Sequence, residues 1–183
     1  MGSNSKLISL VSRLWTPETM LFGGFALLIL LGAILLTTPW AAHPGKVSFV
    51  DALFTSTSAV CVTGLAVVDT GSDFTFLGQV IIVILIQLGG LGIMTFAALA
   101  FQSLGRRMSL RCVAAVVETL FQKDLASQFH QAFKTIIALT LAIEGFGVIF
   151  LVFFLSQSMA PTHAIFSAIF HSVSAFCNAG FSL

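Results

Sequence analysis

Two stretches of this chain repeat each other, and each is too short to cross a membrane although it has a membrane segment's composition. Shifted by 116 positions, FVDALFTSTSAVCVTGLA (residues 49–66) lies over IFSAIFHSVSAFCNAGFSL (residues 165–183). Between Ala52 and Gly64 seven of thirteen positions recur: Ala52/Ala168, Phe54/Phe170, Ser56/Ser172, Ser58/Ser174, Ala59/Ala175, Cys61/Cys177 and Gly64/Gly180. Unrelated segments would match at roughly one position in such a window. Each copy opens with about a dozen small, mostly apolar, helix-forming residues and closes on a glycine-bearing segment. A helix of that length rises about 18 Å, against a hydrocarbon core of about 30 Å. It reads as re-entrant or buried, because it cannot span.

The membrane setting follows from charge. Hydrophobic residues make up 57% of the chain and charged residues 8%, where soluble domains carry about 25% charged. Three uncharged or nearly uncharged runs are long enough to cross: Met20–Thr38, Phe74–Phe101 and Thr135–Leu155. Trp15 and Trp40 bracket the first as an aromatic belt would, with Pro17 before it and Pro39 at its end. The offset of 116 places the partner of that run at Ile136–Phe154, so the repeat covers a span plus a half-crossing helix. Basic residues gather at Lys6 and Arg13 and between residues 102 and 134, including Arg106, Arg107, Arg111, Lys123 and Lys134. The opposite connections hold Lys46 beside Asp51, Asp69 and Asp73, so the N-terminus is expected in the cytoplasm. A helix around Leu110–Phe121 is expected in the basic loop, either lying at the interface or docking a cytosolic partner. The expected division is 1–101, 102–134 and 135–183.

Several functions are excluded. No basic tract suits nucleic acid. Cys61, Cys112 and Cys177 are odd in number and lack metal-ligand spacing, so neither a disulfide framework nor a zinc site is indicated. An intramembrane hydrolase finds no serine nucleophile motif, and His43 and His163 lie in connecting turns. The chain is not expected to be an enzyme.

The geometry does suit an ion. A cation stripped of water needs oxygens in its place, and rings of backbone carbonyls supply them in potassium filters. After Cys61 the run Val62-Thr63-Gly64-Leu65 favours extended backbone, and Cys177-Asn178-Ala179-Gly180 follows the second copy. Non-helical backbone at membrane depth survives when it is buried in protein or lines water. Glycine there adopts φ/ψ regions other residues avoid. The C-terminal ends of the short helices, near Cys61 and Cys177, carry about half a negative charge. The candidate filter is therefore Val62, Thr63, Gly64, Asn178, Ala179 and Gly180, with a cation held by backbone carbonyls there and near Cys61 and Cys177. Both cysteines are expected as small buried groups behind it. Asp69 and Asp73 read as a solvated turn or as a cation-enriching mouth. Gly89, Gly90 and Gly92 read as close helix packing or as a hinge. Glu144 is expected to face protein, with Gln87 as a candidate partner, either for structure or along an ion path. His171, which replaces Thr55, is expected to pack or hydrogen-bond.

At FTSTSAVCVTGLAVVDTGSDFTFLGQ and QLGGLGIMTF the chain resembles the Ktr/Trk/HKT superfamily of potassium transporters, particularly the bacterial Ktr membrane subunit. The resemblance implies an all-α polytopic membrane protein of helix–pore helix–helix repeats with re-entrant filter loops. Four such repeats surround the pore in family members, of which about one and a half are expected here, as an N-terminal fragment. It implies K⁺ uptake across a bacterial inner membrane, filter glycines at Gly64 and Gly180, and Na⁺ as a candidate coupling ion. A serine at the first-repeat glycine accompanies Na⁺ preference in related plant transporters. Partners implied are membrane lipid, a second copy of the full-length subunit and a cytosolic nucleotide-binding ring. The alternative is a noncatalytic membrane fragment that assembles with or regulates a complete subunit.

Overall fold

The computed structural model describes residues 17–105 and 124–183, with side chains described over 22–94 and 133–183. The expected helix at Leu110–Phe121, Trp15 and the basic residues at 6, 13, 106, 107, 111 and 123 lie outside the described residues. Among those described, every regular element is helical, and extended pairing is limited to one antiparallel bridge between Ala42 and Phe74.

Helix α1 runs Pro17–Leu36 and begins on the proline that the sequence placed ahead of the span. Proline is suited to a first turn, where its missing N–H is not needed. The helix ends two residues before the expected Thr38. Thr37 and Thr38 turn their hydroxyls back onto the Ala33 and Leu35 carbonyls, at 2.6 and 2.7 Å, and Pro39 blocks continuation. Helix α2 is Phe49–Val60, as expected, and starts from a reciprocal cap. The Ser48 hydroxyl accepts from the Asp51 N–H, and the Asp51 carboxylate accepts from the Ser48 N–H at 3.0 Å.

The polar turn at 69–73 is a four-residue helix, α3 (Thr70–Asp73), capped by Asp69, whose Oδ1 accepts from the Ser72 N–H at 2.7 Å. Phe74 belongs to the bridge rather than to the next helix, so α4 runs Phe76–Gly105. Helix α5 spans Asp124–Leu155 and starts well ahead of its apolar run. Helix α6, expected over Ala164–Phe176, spans Pro161–Phe176 and again starts from a proline in the first turn.

Two described segments are long and apolar enough to cross a bilayer, Phe76–Met94 with 19 residues and Phe133–Leu155 with 23. The apolar part of α1 with described side chains is Phe22–Leu36. Helix α2 packs between α1 and α4, and α6 packs on α5 and α4. The core lies where these helices meet, around Leu36, Val60, Phe74, Ile82, Ile86 and Phe170. Outward faces stay apolar: on α5, Phe146 and Ile149 are each 73% exposed. Such a surface is stable facing lipid or protein, not water.

Candidate ion-path site

The short helices end in the same way, for a local reason. After Val60 the chain leaves α2 through Cys61, and Val62 enters the left-handed region at φ +55°. The Val62 N–H then donates to the Ala59 carbonyl at 3.3 Å and the Thr63 N–H to the Ser58 carbonyl at 2.9 Å. This is the paired closure of a Schellman motif, which satisfies the helix's last carbonyls. At α6 the equivalent residues repeat it. Asn178 has φ +58°, its N–H donates to Ala175 at 3.0 Å, and the Ala179 N–H donates to Ser174 at 2.7 Å. Asparagine adopts this conformation readily and valine only at a cost, because a β-branched side chain crowds the following carbonyl. The extended backbone expected at Val62 is instead a left-handed turn. The signal available was Asn178, its partner at the same offset.

Two residues later Gly64 has φ +77° and Gly180 has φ +70°. The two glycines touch. A Cβ on Gly64 would stand 3.0 Å from the Ala179 carbonyl oxygen and 3.3 Å from the Gly180 Cα, and one on Gly180 would stand 3.0 Å from the Gly64 Cα. Serines of the short helices brace both segments. Ser58 Oγ accepts from the Leu65 N–H at 3.0 Å and from the Thr63 hydroxyl at 2.9 Å. Ser174 donates to the Phe181 carbonyl at 2.7 Å. Helix caps and serines thus consume the amides of Val62, Thr63, Leu65, Asn178 and Ala179. Among the described residues, the carbonyls of Val62, Thr63, Gly64, Asn178, Ala179 and Gly180 accept no hydrogen bond. Six bare acceptors near two helix C-termini form an environment suited to a cation.

The flanking helices hold this arrangement at close range. Gly89 of α4 lies against the end of α2, where a Cβ would meet the Val60 carbonyl oxygen at 2.1 Å. Gly90 lies against the end of α6, where a Cβ would meet Cys177 Sγ at 2.6 Å. The glycine cluster is therefore close packing of α4 on both short helices. Ser56 donates to the Ile29 carbonyl of α1 at 2.8 Å, and Ser172 to the Glu144 carbonyl of α5 at 2.8 Å. Those pairs are 27 and 28 residues apart. The long helices therefore correspond at an offset of 115 where the short helices correspond at 116. One more residue separates Glu144 from Ser172 than separates Ile29 from Ser56, although the connection ahead of α6 (156–160) is shorter than the one ahead of α2 (37–48).

Other candidates sort themselves by contact. Cys177 is buried as expected, but Cys61 is exposed, since no described glycine seats it as Gly90 seats Cys177. Gln87 Nε2 donates to Glu144 Oε2 at 3.3 Å, the pairing the sequence suggested. His171 Nδ1–H donates to the Ser167 carbonyl at 2.7 Å, so it hydrogen-bonds within its own helix. Between the turn at 43–46 and α3, Lys46 pairs with Asp73 at 2.9 Å. That hydrogen bond, and then the Asp69 N–H, hold the Asp73 carboxyl below its ordinary value. Asp69 caps α3 and Asp73 answers Lys46, so both acids have structural partners.

Comparison with known proteins gives the family. A family model described as "TrkH: Cation transport protein" matches residues 25–183. The chain is 42% identical over 169 residues to "Ktr system potassium uptake protein B" of Bacillus subtilis, covering 92% of this chain and 38% of that protein. It is 43% identical over 155 residues to the protein of the same name in Vibrio alginolyticus, covering 85% of this chain and 34% of that protein. It is 35% identical over 174 residues to "Potassium/sodium uptake protein NtpJ" of Enterococcus hirae, covering 94% of this chain and 38% of that protein. The chain thus spans well under half the length of these curated relatives.

Proposed function

The chain belongs to the TrkH family of cation transport proteins, and on that premise we propose that it forms part of the K⁺ path of a Ktr-type uptake protein. Helices α2 and α6 are half-crossing pore helices. The carbonyls of Val62, Thr63, Gly64, Asn178, Ala179 and Gly180 line two quadrants of one filter. Helices α1, α4 and α5 cross the bilayer with the N-terminus in the cytoplasm, giving about one and a half helix–pore helix–helix units. The remaining quadrants, a second copy of the complete subunit and a cytosolic nucleotide-binding ring complete the transporter, with Na⁺ as the coupling ion.

One observation carries this reading. Two glycines in positive φ, each following a Schellman-capped short helix, touch each other among carbonyls that accept no hydrogen bond within the described residues. The caps turn N–H groups away, so the oxygens remain to replace a cation's water. The pore-helix termini add a favourable partial negative charge.

The test is Gly64→Ser in the complete gene product containing these residues, expressed in a bacterium without its own K⁺ uptake. The K⁺/Na⁺ uptake ratio is expected to fall. An unchanged ratio removes Gly64 from the filter. Failure of these 183 residues to support uptake alone, with co-purification alongside a complete subunit, would favour the assembly role instead.

A further inference from the structure

Behind the second glycine segment sits a polar pair that the ion path does not use. Glu144, 6% exposed at the middle of α5, receives a hydrogen bond from Gln87 Nε2 at 3.3 Å. The other oxygen of each group, Glu144 Oε1 and Gln87 Oε1, is buried with no hydrogen-bond partner. Among the described residues no lysine, arginine or histidine pairs with the carboxyl, and the ion pair present is Lys46–Asp73. The neighbouring groups on α6 are the Cys177 thiol, seated on Gly90, and the Ser172 hydroxyl, which donates to the Glu144 main-chain carbonyl. Neither gives the carboxyl oxygens a hydrogen bond.

An ionised carboxylate accepts only, and the amide oxygen accepts only. Two buried acceptors left over in one pair are therefore a site lacking a donor. A single proton on Glu144 supplies it. The acid O–H would donate to Gln87 Oε1 while Gln87 Nε2 donates to Glu144 Oε2, which would satisfy both orphaned oxygens at once. The same proton removes a charge from the middle of a membrane helix, where charge is expensive.

We propose that Glu144 and Gln87 bind one proton as a reciprocal acid–amide clamp, which joins α5 to α4 and so positions the Asn178–Gly180 segment of α6. The mechanical link runs through two contacts on the page. Ser172 ties α6 to the Glu144 carbonyl, with Gly147 leaving room for its hydroxyl. Gly90, three residues after Gln87 and so on the same face of α4, seats Cys177 just before Asn178. The first unit has no such clamp: the residue whose carbonyl receives Ser56 is Ile29. The positioning half of the proposal rests on the filter reading above, and the proton half does not.

The test uses the purified complete gene product and two readouts. The infrared spectrum at neutral pH should show a protonated-carboxyl C=O band that disappears in Glu144→Gln. In uptake assays Glu144→Gln should keep the K⁺/Na⁺ ratio, because its amide N–H replaces the acid O–H. Glu144→Leu should lower that ratio roughly tenfold or more, since it removes both hydrogen bonds of the clamp. Absence of the band, or Glu144→Gln behaving as Glu144→Leu, overturns the proposal. If Glu144→Leu does not fold, the infrared band and the Glu144→Gln uptake decide between the outcomes. If Gly64→Ser leaves selectivity unchanged but the band is present, the filter reading fails and the proton site stands.

Discussion

Alanine at Gly64 separates two costs that usually arrive together. Gly64 has φ +77°, and its Cβ would press on the Ala179 carbonyl and the Gly180 Cα at 3.0 and 3.3 Å. Gly45 shares the same φ of +77° with nothing within 4 Å. Gly45→Ala therefore carries only the left-handed penalty, about 1–2 kcal/mol. Gly64→Ala carries that penalty and must also push the backbone of 179–180 aside, about 1–3 kcal/mol more for an overpacked site. Backbone cannot rotate away as a side-chain tip can, so the second cost is not easily relieved. Gly64→Ala should therefore be less stable than Gly45→Ala by about 1–3 kcal/mol and melt correspondingly lower. The assay is thermal unfolding of the purified complete gene product in detergent. Gly180→Ala should interact with Gly64→Ala, the double variant departing from additivity by about 0.5 kcal/mol or more. Equal melting of the Gly64 and Gly45 variants, with strict additivity in the double-mutant cycle, would refute contact between the two segments.

Other expectations concern the scaffold. Gly89→Ala should destabilise by about 1–3 kcal/mol, because its Cβ would meet the Val60 carbonyl at 2.1 Å. Gly145→Ala, with nothing within 4 Å, should stabilise α5 by up to about 1 kcal/mol; melting of the two variants checks the contrast. The Asp73 carboxyl is held below its ordinary value by Lys46 and the Asp69 N–H. Its stabilising contribution is therefore complete above the unfolded carboxylate pKa of about 3.9, and is lost as pH falls through the lower folded value. Lys46→Met should reduce that acid loss, and unfolding midpoints that fall in parallel with wild type as pH drops would contradict the pairing.

Much of the chain was legible in order along the sequence. A run of twelve residues from Phe49 to Val60 states its own length, and the scarcity of charge states its solvent. Glycine at 64 and 180 states where backbone leaves the ordinary φ range, because few other residues do so cheaply. These are properties of contiguous chain, set by helix rise, caps and local sterics. Helix ends were read less well where a side chain from elsewhere decided them. Phe74 reads as the start of a span, but pairing with Ala42 holds it extended.

Tertiary structure alone decided which glycines serve conformation and which serve proximity. Gly64 and Gly180 do both, while Gly89 and Gly90 are ordinary helical residues whose missing Cβ matters only because Val60 and Cys177 arrive there. The one-residue slip between the long helices and the short ones likewise appears only when Ser56 and Ser172 choose their carbonyls. Local periodicity can place a residue on a helix. Which partner it meets depends on how helices distant in sequence dock, and that is settled by the packing of all of them at once.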